Sequence, residues 1–140
     1  MNRTIVVAVA AAVLTMMASS ACMAESVDVM MADFLLLRVR CPAGGYTAEE
    51  RATQIQARAN ALLVLDGFDL STIKVEKVGT DAILYAGGEL LVTVDECTAR
   101  ANKTTPERLA NVWADRLRMI YPKVVPKKPL QQQPGRGPTG

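Results

Sequence analysis

The 140-residue chain has no histidine, and that gap removes more functions than any residue present adds. Without imidazole there is no Ser-His-Asp or Cys-His triad, and the commonest metal ligand is missing. Aromatic side chains are scarce: Phe34, Tyr46, Phe68, Tyr85, Trp113 and Tyr121 are all there are. Base-stacking platforms need several on one face, and these are spread along the chain. A charge excess of one sign is also lacking, with a formal net charge of +2. From Glu25 to Tyr121 there are 11 Lys/Arg against 14 Asp/Glu, or −3, while Lys123, Lys127, Lys128 and Arg136 follow with no acid. Nucleic-acid surfaces carry a clustered basic footprint, so no nucleic-acid partner is expected. Cysteines number only three, Cys22, Cys41 and Cys97, too few and too far apart in sequence for a zinc grouping. No cofactor and no metal is expected.

What is present begins with an export leader. Residues 1–24 hold an early charge at Arg3, an uncharged apolar run from Ile5 to Met17, and then small residues. The run is shorter than the roughly 20 residues a spanning helix needs, and the three-part order is that of a secretory signal. Cleavage after Ala24, cleavage after Ala21, and cleavage before Cys22 with lipidation of that cysteine are all open readings. The Ser19-Ser20-Ala21-Cys22 run has the small residues of a lipoprotein signal but lacks the leucine usual three positions upstream. A single acyl chain there would tether the domain without a spanning helix.

The remainder reads as one domain with a tail. Residues 25–32 are taken as a lead-in. The apolar run 33–40 predicts a buried strand. Residues 47–65 predict a helix opened by a Thr47/Glu50 capping box, with Ala48, Ala52, Ile55, Ala59, Leu62 and Leu63 on its inner face. Glu49, Thr53, Gln54, Gln56 and Asn60 are expected on its polar face. Three short strands follow at 72–78, 82–86 and 89–94, the last two joined by a Gly87-Gly88 turn. The strand at 89–94 is the most apolar and is expected to lie centrally. Asp95 is expected to cap a short helical turn. Thr105 caps a final helix at 104–121, with Pro106 at its first position and Leu109, Val112, Trp113, Leu117 and Ile120 inward. Residues 122–140 are rich in Pro, Gln and Gly and read as a disordered basic tail. No internal repeat of useful length stands out. The expected fold is α+β, in the order β-α-β-β-β-α, with two helices on one face of a four-stranded mixed sheet. In that topology Cys41 and Cys97 fall at the same end of the sheet. A disulfide and two free thiols both remain open, because strand order is undetermined and pairing needs α-carbons within about 7 Å.

Two constellations invite chemistry. The stretch RVRCPAGGYTAEERA (38–52) has the outline of a phosphate-cradling loop. It lacks both the glycine spacing of a dinucleotide site and the lysine of a P-loop. Glu49 and Glu50 already occupy the helix start, where they would repel a phosphate. It is expected to be a structural corner. Asp95 and Glu96 beside Cys97 are the one acidic pair suited to acid–base work, and a helix cap is the simpler role for Asp95. Arg51, Arg58, Arg108 and Arg116 are read as solvated or salt-bridged helix flanks, as opposed to a site for an anionic lipid or glycan.

Glu50-Arg51-Ala52 with Arg58, the strand ending Thr93-Val94, and Ala110 three residues before Trp113 resemble one particular domain type. It precedes the membrane part of some bacterial mechanosensitive channels, extended relatives of the small-conductance class well represented in cyanobacteria. The likeness covers residues 33–121 and rests on short, mostly structural motifs: Thr47, Glu50, Arg51, Arg58 and Trp113. No pore-forming helices follow, so channel activity is not implied. The resemblance implies a non-catalytic extracytoplasmic domain, and Cys41 and Cys97 lie outside its pattern. The expectation is a periplasmic or extracellular envelope protein acting as an interaction or sensory module. Its partner would be another envelope protein or an anionic envelope surface. A lipid-binding domain and a carboxylate-based hydrolase are the alternatives.

Overall fold

The structure is a computed structural model and describes residues 26–125. The expected leader, Cys22 and most of the expected tail lie outside the described residues. Along the chain run β1 (Val27–Met31), β2 (Phe34–Val39), α1 (Ala48–Val64), a 3-10 turn (Leu70–Thr72), β3 (Lys74–Val78), β4 (Asp81–Ala86), β5 (Glu89–Val94), α2 (Glu96–Ala101) and α3 (Pro106–Val124). The α+β class stands. The residues expected as a lead-in contain β1, and the helix expected to stop at 121 continues through Pro122 to Val124. Among the described residues, no helix is long and apolar enough to cross a membrane.

In place of the expected four-stranded mixed sheet there are two antiparallel sheets, β1-β2 and β3-β4-β5. β4 is the central strand of the larger one, where the most apolar strand β5 was expected. Both sheets carry a bulge. Val29 faces Leu37 and Met30 faces Leu35, so Leu36 is left without a partner. Leu84 faces Val92 and Tyr85 faces Leu90, which leaves Leu91 unmatched in the same way. A bulge breaks the two-residue alternation of a strand. That is why β2 and β5 each bury two consecutive residues, Leu36 with Leu37 and Leu91 with Val92. β2 and β5 are not paired with each other, and side chains from the helices bond their carbonyls instead.

These bulges expose an internal repeat that the sequence did not disclose. The hairpins β1-β2 and β4-β5 match at a shift of 55 residues: Met31 faces Phe34 as Ala86 faces Glu89, and the bulges fall at Val29/Met30 and Leu84/Tyr85. Each hairpin is followed by a long helix with a capping threonine, Thr47 or Thr105. From those caps, Ala52, Ile55, Ala59 and Leu62 correspond to Ala110, Trp113, Leu117 and Ile120, and all eight are buried. Packing repeats too. α1 lies chiefly on β1 and reaches β5, whereas α3 lies chiefly on β4 and reaches β2. The domain is two ββα units with crossed helix contacts. β3 and α2 belong to the second unit alone.

Local chemistry accounts for the element ends. Glu50 N donates to Thr47 Oγ1 at 3.1 Å while Thr47 N donates to Glu50 Oε2 at 2.8 Å, the expected reciprocal cap of α1. Thr105 accepts from Arg108 N, and Pro106 opens α3 at a position where no N–H is needed. Gly87 and Gly88 turn between β4 and β5 with φ of +64° and +82°. A Cβ on Gly87 would meet Leu65 at 3.2 Å, so both backbone and space require glycine there. The inner stripe of α3 is Leu109, Ala110, Trp113, Ala114, Leu117, Ile120 and Tyr121. Val112, expected inward, is half exposed. Gln56, expected on the polar face of α1, instead donates to Met30 O at 2.6 Å and accepts from Met30 N at 2.8 Å. Its amide pairs with β1 backbone at the bulge as another strand would, satisfying groups that burial would otherwise leave open.

Candidate functional site

The chemistry-bearing residues gather where β2 and β5 end. Cys41 follows β2 and Cys97 lies at the start of α2, and the two are joined in a disulfide with α-carbons 6.1 Å apart. The separation of 56 residues means that the bond closes a long loop, a constraint of about 4 kcal/mol on the unfolded chain in the chain-entropy model. Of the two readings left open by the sequence, the structure holds the bonded one.

Arg51 sits beside this bond and is buried, not on a solvated flank as expected. Its guanidinium donates to Cys41 O, to Thr93 O at 3.0 Å, and to Asp95 Oδ1 at 3.0 Å. One side chain of α1 therefore joins the end of β2 to the end of β5, across the gap between sheets. Guanidinium suits this task because its donors form a fixed planar fork. Asp95 is equally engaged. Oδ2 accepts from Thr98 N at 3.1 Å and Oδ1 from Thr98 Oγ1 at 2.8 Å, so it caps α2 as expected. Burial pushes the Asp95 carboxyl up, but the Thr98 hydrogen bonds and the Arg51 charge outweigh it and hold its pKa below the ordinary value. An acid held ionised and shared between a cap and an arginine is poorly placed to give or take a proton. Glu96 is exposed.

The Sγ atoms of Cys41 and Cys97 and a carboxylate oxygen of Asp95 lie within 4.8 Å of one another. With the sulfurs bonded together, only the carboxylate is left to meet a metal in this oxidised form.

The expected corner is a tight turn. Ala43 and Tyr46 exchange two backbone hydrogen bonds of 3.0 and 3.1 Å around Gly44-Gly45, whose φ values of +61° and +82° suit glycine. This turn, the first turns of α1, and β5 enclose an open cleft of about 340 Å³. Tyr46, Gln54, Arg58, Asp81, Thr93 and the Arg51–Asp95 pair are among its lining residues. Tyr46 is about half exposed, and Arg58 is exposed with a single long bond of 3.4 Å to Leu91 O.

The other motif residues separate by role. Thr47 and Glu50 cap α1, and Trp113 is core, as expected for them. Arg116 also departs from a solvated flank: it is half-buried and donates to Leu36 O at 3.2 Å. Arg108 is exposed as expected. Arg118, which the sequence reading passed over, donates to Ile73 O at 2.9 Å and pairs with Asp115. The internal repeat places Arg58 and Arg116 at matching positions, and no sequence signal pointed to Arg118.

These features define a small disulfide-braced α+β domain whose polar residues mostly secure strand ends. Residues 28–120 match a family described as a domain of unknown function (DUF8459), and the chain belongs to that family. No curated protein and no solved structure gave a match.

Proposed function

We propose that this is an exported, non-catalytic binding module of the bacterial cell envelope, making its contacts at the cleft beside the disulfide. The observation that carries this reading is the state of the reactive groups. Asp95, Arg51, Cys41 and Cys97 are all used in holding the fold, whereas the groups presented to solvent in the cleft, Tyr46, Gln54 and Arg58, are of recognition type. An oxidised cysteine pair suits an extracytoplasmic location, and the leader agrees with it. The resemblance to extracytoplasmic channel domains supports the same placement, with another envelope protein or an anionic envelope surface as partner. Lipid attachment at Cys22 would keep the domain at a membrane. The hydrolase alternative is disfavoured by the engagement of Asp95. The lipid-binding alternative would need an apolar cleft between helices and sheets, and Leu36, Leu37, Val92, Trp113 and Leu117 pack that space.

Cross-linking in intact cells, followed by capture of the tagged full chain, tests this reading. A reproducible partner that is lost when the cleft is altered by Tyr46→Ala supports it. Cross-links indistinguishable from an exported control protein would refute it.

A further inference from the structure

Resting on that reading, the cleft can be assigned a ligand class from its charges. Two arginines and two aspartates line it, and Arg51 and Asp95 neutralise each other at 3.0 Å. Arg58 and Asp81 remain, one charge of each sign. A phosphate or nucleotide, with two or more negative charges, would meet one unpaired cation and a repelling carboxylate. A ligand of low net charge that ends in a single carboxylate matches the walls better.

The internal repeat strengthens the case for Arg58. Arg116, its counterpart in the second unit, is half-buried and bonds the bulged Leu36 carbonyl at 3.2 Å. Arg58 makes the equivalent bond to Leu91 O at 3.4 Å while exposed in the cleft, so most of its five donors face solvent. The same residue at the same place in the repeat serves as a clamp in one unit and is turned to an open cleft in the other. Tyr46, whose backbone is held in a turn closed by two hydrogen bonds, presents a half-exposed ring to the same cleft. A cleft of about 340 Å³ is at the small end of ligand sites and admits a few residues at most.

We propose that the cleft binds a free α-carboxylate, that of an amino acid or of a peptide C-terminus. Arg58 receives it through a two-pronged guanidinium–carboxylate contact, and Tyr46 packs against the adjoining residue. Asp81 favours an ammonium or amide donor on the same ligand.

Amide-resolved NMR titration of the oxidised domain with trialanine, trialanine amide and free alanine tests the assignment. Trialanine at millimolar concentration should shift the amides of Tyr46, Arg58 and Thr93. The C-terminal amide should bind about tenfold more weakly or worse, because it removes the charge-assisted pair. Arg58→Gln should weaken trialanine by a similar factor while keeping wild-type spectral dispersion, since Arg58 is exposed. Alanine binding as tightly as trialanine would assign the carboxylate to free amino acids, and weaker alanine binding to peptide ends. Equal affinity for acid and amide, indifference to Arg58→Gln, or no shifts in the cleft would each overturn the proposal. With the proposal so overturned, a reproducible cross-linked partner of the wild-type chain would leave the binding-module reading standing, and the absence of any specific partner would remove it as well.

Discussion

Arg58 and Arg116 each stand eleven residues beyond a capping threonine (47 to 58, 105 to 116), and each donates to the bulged leucine of the other unit's hairpin. The exchange ties α1 to β5 and α3 to β2, where no ladder joins the two sheets. A hydrogen bond contributes about 1 kcal/mol net, more when charged and shielded from water. Arg116→Met should therefore cost about 1–2 kcal/mol in urea unfolding. Arg58→Met should cost less, because its bond is longer and exposed. The reverse order would show that the cleft arginine is the stronger clamp.

Arg51 is a different kind of tie. Its charge and that of Asp95 are largely withdrawn from water, so deleting one leaves the other unpaired. Arg51→Met should destabilise the domain by about 3–5 kcal/mol. Asp95→Asn alone should also be costly, and the double variant should fall well short of the sum of the two. Additive losses in that double-mutant cycle would mean that the pair is not coupled.

The two hairpin turns allow a test of the repeat. Gly87, with φ of +64°, corresponds to Ala32, with φ of +51°, a conformation that L residues with a Cβ adopt at a cost. Ala32→Gly should raise stability by up to about 1 kcal/mol, since relief of left-handed strain outweighs the added freedom of the unfolded chain. Gly87→Ala should lower it, because Leu65 and Phe68 already crowd the position. A destabilising Ala32→Gly would contradict the backbone assigned to that turn.

Acid should undo the Asp95 cluster in a defined direction. The carboxyl pKa is depressed in the folded state, so its contribution is fully present above the ordinary carboxylate value near 4 and is lost as pH falls through the folded value. The stability of the wild-type domain should drop below about pH 4, and Asp95→Asn should show a shallower acid limb from a lower plateau. Parallel acid limbs would indicate that other carboxylates dominate there.

Local signals were legible in the sequence because they act over three or four residues. The Thr47/Glu50 box, the Asp95 and Thr105 caps and the Gly87-Gly88 turn each satisfy nearby backbone groups or φ requirements, and each stands where expected. The bulges were not legible. Leu35-Leu36-Leu37 and Leu90-Leu91-Val92 read as continuous apolar strands, and only the register shows one residue skipped in each. β1 was hidden by its brevity and by Asp28 at its second position, a residue that pairs with Arg38 across the hairpin. The repeat was masked by unequal loops, since α2 separates β5 from α3 whereas a simple turn separates β2 from α1. Burial of Arg51 depends on the approach of β2 and β5 ends from distant parts of the chain, which no local window contains.

Export of the chain and oxidation of the Cys41–Cys97 pair beside the polar cluster are the two central claims. Intact-mass measurement of the protein isolated from its native cells without reductant tests both parts at once. The predicted result is a chain lacking its leader, beginning at Glu25, at Cys22 with attached lipid, or at Cys22 unmodified, and lighter by two hydrogens than its reduced form. A full-length chain carrying free thiols at Cys41 and Cys97 would contradict it.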